Sequence, residues 1–155
     1  MDVQADCLAE WSSPEELKVL LGTVSRPLLL IGGGSNLLFT GDFNGTVLHS
    51  TIGTIDVVKE AADSVIVSAG AGVVWDDFVA YAVMHDWWGV ENLSAIPGTV
   101  GASAVQNVGA YGAEAKDFIE SVEAYDRKDH RHCTLSNSDC RFSYRHSLFK
   151  EQPGR

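Results

Sequence analysis

The sequence predicts an α+β fold, and three observations carry that prediction. A helix with its end signals in place lies early in the chain, at "SSPEELKVLLGTV". Short runs rich in β-branched residues follow it, bounded by polar turns, as strands of antiparallel hairpins are. Two uncharged glycine-rich segments, "IGGGSN" and "IPGTVGASAVQNVGAYG", break the regular pattern where elements should meet.

Taken in order, the elements justify themselves. A first strand is expected near residues 5–9. Ser13 and Glu16 then have capping-box spacing, and Pro14 occupies the first helical position. Leu17, Leu20, Leu21 and Val24 repeat at i, i+3, i+4, i+7, which buries one helix face. "PLLLI", Pro27 to Ile31, reads as a short buried strand. Residues 1–45 therefore form a small strand–helix–strand lobe in this reading. Residues 46–155 form a larger second lobe of antiparallel character.

In that second lobe "TVLHS", "IDVVKE" and "SVIVSAG" read as strands, with "AAD" turning between the last two. A helix is expected from Val74 to His85. Trp75, Phe78, Val79 and Ala82 make its apolar stripe, and Asp76 and Asp77 suit its positive N-terminal end. Trp87 and Trp88 are expected to end it over the core, and Glu91 to anchor the loop that follows. "SVEAYD" and "HRHCTL" form a hairpin through the charged turn "RKDH", and Ser136 to Asp139 reads as one helical turn. Cys7 and Cys140 read as small core residues.

Composition narrows the partners. The chain has 155 residues, 45% of them hydrophobic, as in globular domains. Its 11 basic against 21 acidic residues leave a net charge of -10, which disfavours nucleic acid or an anionic membrane as partner. "MDVQADCLAEW" has neither a basic start nor an apolar run, so it does not read as a secretory signal. Three cysteines without framework spacing fit a reducing compartment, and the expected location is cytoplasmic. The uncharged stretch from Asn92 to Ala113 is too rich in Gly, Pro and amides for a membrane span. Nor does "HRHC", even with Cys140, have the spacing of a closed zinc site, so no metal is expected.

The glycine segments fail the standard nucleotide motifs. Gly32 and Gly34 begin a dinucleotide fingerprint, but Leu37 stands where its third glycine belongs, and Trp75 does so in "GAGVVW". No Gly-Lys pair supports a P-loop. The underlying physics still applies: glycine lets a backbone approach a ligand closely, and successive N–H groups can converge on an anion. Plain tight turns are the other reading. The length of the second segment, expected to hold little regular structure, favours function, since such loops are uncommon in compact domains.

"IGGGSNLLF", "VENLSAIPGTVGASAVQNVGAYG" and "CRFSYRHSLFK", in this order, closely resemble the UDP-N-acetylenolpyruvoylglucosamine reductase (MurB) family of peptidoglycan synthesis. The resemblance implies a two-lobed α+β FAD-binding domain of the type shared with vanillyl-alcohol oxidase-like (PCMH-type) flavoproteins. Gly32, Gly33, Gly34, Ser35, Asn36 and Leu37 would wrap the FAD pyrophosphate from the first lobe. Pro97, Gly98, Val100, Gly101, Ala102 and Ser103 would approach it from the second, and Asn107, Gly109, Ala110 and Tyr111 would continue the wall near the flavin.

The family reduces the enolpyruvyl ether of a UDP-sugar to a lactyl ether, with NADPH as reductant. Arg145, in "SYRHSLFK", matches the arginine that stabilises the developing negative charge beside the substrate carboxylate. Guanidinium suits that task because it stays charged and grips a carboxylate with two parallel bonds. Tyr144 would be a substrate contact, and without its motif Arg145 would read as an exposed strand arginine.

The resemblance runs to the last residue and covers about the first half of a typical member. The family's substrate-binding domain, its protonating serine and the last strands of the FAD domain are therefore expected to be absent, and the chain alone to be inactive. Two other readings remain open on sequence grounds. One is the FAD module of another flavin oxidoreductase of the same fold, and the other a non-catalytic fragment.

Overall fold

The computed structural model describes residues 3–24 and 26–151. The outermost residues of the two expected lobes, 1–2 and 152–155, and also Ser25, lie outside them.

A parallel sheet opens the chain. β1 (Ala5–Trp11), β2 (Leu28–Ile31) and β3 (Phe43–Ser50) lie in the order β1-β3-β2. Leu8 faces Val47, and Leu29 faces Val47 from the other side. β3 was expected to open the second lobe. It is instead the central strand of the first sheet, so a boundary between residues 45 and 46 cuts through an element. The residues explain this: Thr46, Val47 and Leu48 are buried, as a strand flanked on both edges requires.

α1 (Pro14–Thr23) crosses between β1 and β2 and covers this sheet. Ser13 Oγ accepts the Glu16 amide at 3.2 Å, and Glu16 reaches back to the Ser12 amide at 2.7 Å, one residue earlier than a capping box has it. Leu17, Leu20, Leu21 and Val24 pack on Ala9, Trp11 and Leu48. Cys7, on the same strand as Ala9, is exposed rather than a core residue.

The second cluster lies around α2 (Trp75–Met84). Trp75, Val79, Leu93, Val108 and Ala115 are its buried members, with Phe78 and Val100 against them. Burying Leu93 completely contributes about 2 kcal/mol of transfer free energy. The Trp75 indole N–H donates to the Leu93 carbonyl at 2.7 Å, so the largest ring in the cluster leaves no orphan donor. α2 ends at Met84, before the two tryptophans. Trp87 stacks on His85, while Trp88 is 85% exposed and covers no core.

Two antiparallel hairpins complete the frame. β4 (Ile55–Glu60) pairs β5 (Val65–Ala69), and β8 (Ser121–Asp126) pairs β9 (Arg131–Ser136). Between them the uncharged stretch is more regular than expected. It holds α3 (Val100–Gln106) and a minimal hairpin of β6 (Gly109–Ala110) and β7 (Ala113–Glu114). Small residues allow α3 to sit close to its neighbours, and Thr99 caps it. Ser136 ends β9 and caps the single helical turn expected there: its Oγ accepts the Asp139 amide at 3.3 Å, and its carbonyl accepts the Cys140 amide at 3.2 Å. α4 (Leu148–Glu151) is the last described element.

Candidate functional site

Gly32–Asn36 leaves the carboxyl end of β2, the edge of a parallel sheet where ligands gather in open α/β folds. Directly opposite lies Gly98–Ala102. A Cβ on Gly32 would stand 2.8 Å from Thr99 Oγ1 and 3.0 Å from Ala102 Cβ, and one on Gly33 would reach the Gly98 Cα at 3.7 Å. One on Gly98 would meet Ser35 Oγ at 3.8 Å. The two glycine segments therefore face each other at backbone distance, and side chains at Gly32 would hold them apart. Gly34 and Gly98 also have φ of +70° and +133°, which glycine adopts without strain.

The hydrogen bonds divide the labour between them. Among the described residues, the amides of Gly33, Gly34, Ser35 and Asn36 have no hydrogen-bond acceptor. From the second segment the amides of Val100, Gly101 and Ser103 are taken by main-chain carbonyls, and that of Ala102 by Thr99 Oγ1. Ser103 is buried, and its hydroxyl donates to the Val100 carbonyl at 2.7 Å. The first segment thus offers a run of amides to an anion, and the second supplies mainly a close wall. Neither carries a charged side chain. Leu37 is half-exposed beyond the turn, and Pro97 is exposed at the edge of the wall.

A third glycine segment, tested in the sequence only as a dinucleotide motif, underlies both. Gly70–Val73 follows β5 and fits between the end of β3 and the start of α3. A Cβ on Gly72 would stand 2.5 Å from the Ser50 carbonyl, and one on Gly101 would stand 2.9 Å from Ala71 Cβ. The Gly101 amide donates to the Ala71 carbonyl at 3.1 Å, and the Trp75 amide to Gly98 at 3.0 Å. "GAG" after a strand was the available signal. Its meaning lay in a contact distant in sequence.

The "CRFSYRHSLFK" motif forms a second cluster beyond α3. Ser143 and His146 exchange two main-chain bonds of 3.0 Å around Tyr144 and Arg145. Arg145 sits in this tight turn with φ of +52°, not in a strand. Its Nη2 points to the Gly109 carbonyl at 3.4 Å, and Tyr144 is exposed. Asn107, expected as cofactor wall, is a buried junction: Nδ2 donates to Ser143 O at 2.8 Å and Glu114 Oε2 at 3.1 Å, while Oδ1 accepts the Lys116 amide at 3.0 Å. Lys116 also pairs with Glu114. That bond, then the Asn107 amide and the charges of Lys116 and Arg145, hold the Glu114 carboxyl below its ordinary range.

Gly109 and Ala110 form β6, and Tyr111 follows at the hairpin tip, 90% exposed with φ of +51°. Three non-glycine residues in left-handed conformation, Asn107, Tyr111 and Arg145, thus occur in one small region. Local strain of this kind collects at functional sites. The Glu91 carboxylate accepts the Gly89 amide at 2.6 Å and so ties the residues before it, while the loop that follows is held by Asp76, which accepts the Ala95 amide at 2.6 Å. His130 is in the turn of the β8–β9 hairpin, so His130 and His132 do not share a strand face. Among the described residues no three His, Cys, Asp or Glu side chains gather as a metal-holding group.

Residues 5–135 match the family model described as FAD binding domain. The chain belongs to this FAD-binding family. It is 55% identical, over 97% of its own length, to the UDP-N-acetylenolpyruvoylglucosamine reductase of Bacteroides fragilis, of which it covers 46%. For the reductase of Pseudomonas aeruginosa the identity is 46% over 100% of this chain and 47% of the relative. Among solved structures, the reductase (MurB) of Thermus caldophilus superposes with a TM-score of 0.72 at 27% identity, over 90% of this chain and 49% of that one. The family resemblance and the mixed α/β FAD-binding fold are thereby shown. The chain spans about half the length of the curated relatives it matches.

Proposed function

We propose that the chain binds FAD between its glycine segments and forms the flavin-binding part of a UDP-N-acetylenolpyruvoylglucosamine reductase. The observation that carries this is the facing pair of Gly33–Asn36 and Gly98, with four amides in a row lacking acceptors. A pyrophosphate is the ligand such a row suits, since N–H dipoles can bind a dianion where no cation is at hand. Gly32 to Leu37 would hold it. Pro97, Gly98, Val100, Gly101, Ala102 and Ser103 would exclude water from the other side. Gly109, Ala110 and Tyr111 would extend the wall, and Asn107 would fix that wall in place.

When bound, FAD supplies two-electron redox chemistry, and NADPH is the reductant by the same reading. The substrate would be a UDP-sugar bearing an enolpyruvyl ether, handled in the cytoplasm during peptidoglycan synthesis. Arg145 would grip its carboxylate and stabilise the negative charge that develops there, more in the transition state than in the ground state. Tyr144, exposed beside it, would touch the substrate. The chain matches about half the length of these relatives, and its proposed role is confined to that half: flavin binding, with Arg145 and Tyr144 toward the substrate.

The test is the visible spectrum of the purified chain after FAD is added and free FAD removed. A retained flavin band, lost in Gly32→Val, is the expected result. A colourless wild-type chain that is folded by circular dichroism would overturn the proposal for this chain.

A further inference from the structure

Lys150 has no role in the reading above. Its position is nevertheless specific: Nζ donates to the main-chain carbonyl of Arg145 at 2.9 Å. Asn107 Nδ2 donates to the carbonyl of Ser143 at 2.8 Å, on the other arm of the same turn. The two arms are themselves joined by the paired Ser143 and His146 bonds. Beyond the turn, the buried Ser147 hydroxyl donates to the Val105 carbonyl at 2.6 Å and fixes the start of α4 to α3. Lys150 is thus carried on a helix tied to α3 and reaches back to one carbonyl of the turn.

That carbonyl belongs to a residue in left-handed conformation, φ +52°, which residues other than Gly, Asn and Asp seldom adopt. An ammonium on the Arg145 carbonyl stabilises the conformation that aims the guanidinium at Gly109 O, 3.4 Å away. We infer that Lys150 is a positioning residue for Arg145, clamping the Tyr144–Arg145 turn from α4 while Asn107 clamps it from the end of α3. The inference rests on the reading of Arg145 as the substrate-facing cation for its functional meaning, but not for its test.

The test uses the purified chain without flavin or substrate, so it can fail while the flavin proposal stands, and the reverse. Amide exchange of residues 143–146 and the Arg145 Nε–H resonance, assigned by its loss in Arg145→Lys, are followed by NMR. In Lys150→Met, exchange of the His146 amide should quicken about ten-fold, as expected for local loosening. The Nε–H signal should move to the position of solvated arginines. Lys150→Arg, which keeps a charged donor, should restore both. Exchange at β1–β3 should stay unchanged, because Lys150 is exposed on α4, which is tied to α3 by the Ser147–Val105 bond. Unchanged signals in Lys150→Met, or a change that Lys150→Arg does not reverse, would overturn the inference.

Discussion

The Asn107 side-chain amide donates to the Ser143 carbonyl at 2.8 Å, joining residues 36 apart in sequence. With its bonds to Glu114 and the Lys116 amide, Asn107 ties α3, β7 and the arginine turn into one unit. Asn107→Ala removes these bonds from a site only 1% exposed and also forces alanine into φ of +44°. Unpaired buried groups and left-handed strain together should cost about 2–4 kcal/mol. Asn107→Gly loses the same bonds without that strain, so urea unfolding should find it about 1 kcal/mol less damaged than the alanine variant. Equal losses would show that the backbone conformation contributes nothing.

Gly32→Ala should separate the glycine segments. Its Cβ would stand 2.8 Å from Thr99 Oγ1, and relief requires moving either the β2 loop or the cap of α3. Overpacking of this kind costs about 1–3 kcal/mol. FAD retention on desalting should fall with it. Gly22, in α1 with nothing within 4 Å of its would-be Cβ, is the control. Gly22→Ala should stabilise the chain by about 0.5–1 kcal/mol and leave flavin retention unchanged.

Local patterns in the sequence carried most of the elements. α1 follows from its cap and apolar stripe, α2 from its stripe and N-terminal aspartates, and the β8–β9 hairpin from two short runs around a charged turn. What the sequence hid was pairing between distant segments. "TVLHS" reads as a strand, but its place between β1 and β2 depends on parallel partners, which no turn announces. The same holds for Gly72 against Ser50 O, and for the three side-chain bonds of Asn107, whose partners lie up to 36 residues away. Trp88 carries no local signal of its exposure: it lies beyond the C-cap His85, where the helical stripe no longer says which way a side chain faces.

Glu114 and Lys116 give the region a defined pH window. Glu114 is held below its ordinary 4.5, chiefly by the Lys116 bond, and Lys116 is raised above 10.5 by the same bond. A lowered carboxyl stabilises the fold above its unfolded value, and loses that contribution as pH falls through its folded value. A raised ammonium contributes below its unfolded value, and loses that as pH rises through its folded one. The pair is therefore fully formed between about 4.5 and 10.5. Melting temperatures of the wild type and Glu114→Gln should differ by a constant amount inside that window and converge below it. A difference that persists unchanged well below pH 4 would show that Glu114 acts by its shape and not its charge.

Trp75 offers the sharpest contrast between two tryptophans. It is 5% exposed and its Nε1–H donates to Leu93 O at 2.7 Å, whereas Trp88 is 85% exposed. Trp75→Phe shrinks the ring and leaves the Leu93 carbonyl without its donor inside the α2 cluster. Lost packing and an unsatisfied carbonyl should together cost about 2–4 kcal/mol. The damage should reach the flavin site, because the Trp75 main-chain amide also holds Gly98 O at 3.0 Å and a shifted α2 would carry Gly98 with it. Trp88→Ala, by comparison, should stay within about 0.5 kcal/mol of wild type. Chemical denaturation of both variants, with FAD retention measured on each, checks the pair. Equal stability of Trp75→Phe and Trp88→Ala would mean that the Leu93 bond and the ring packing around it do not support the fold.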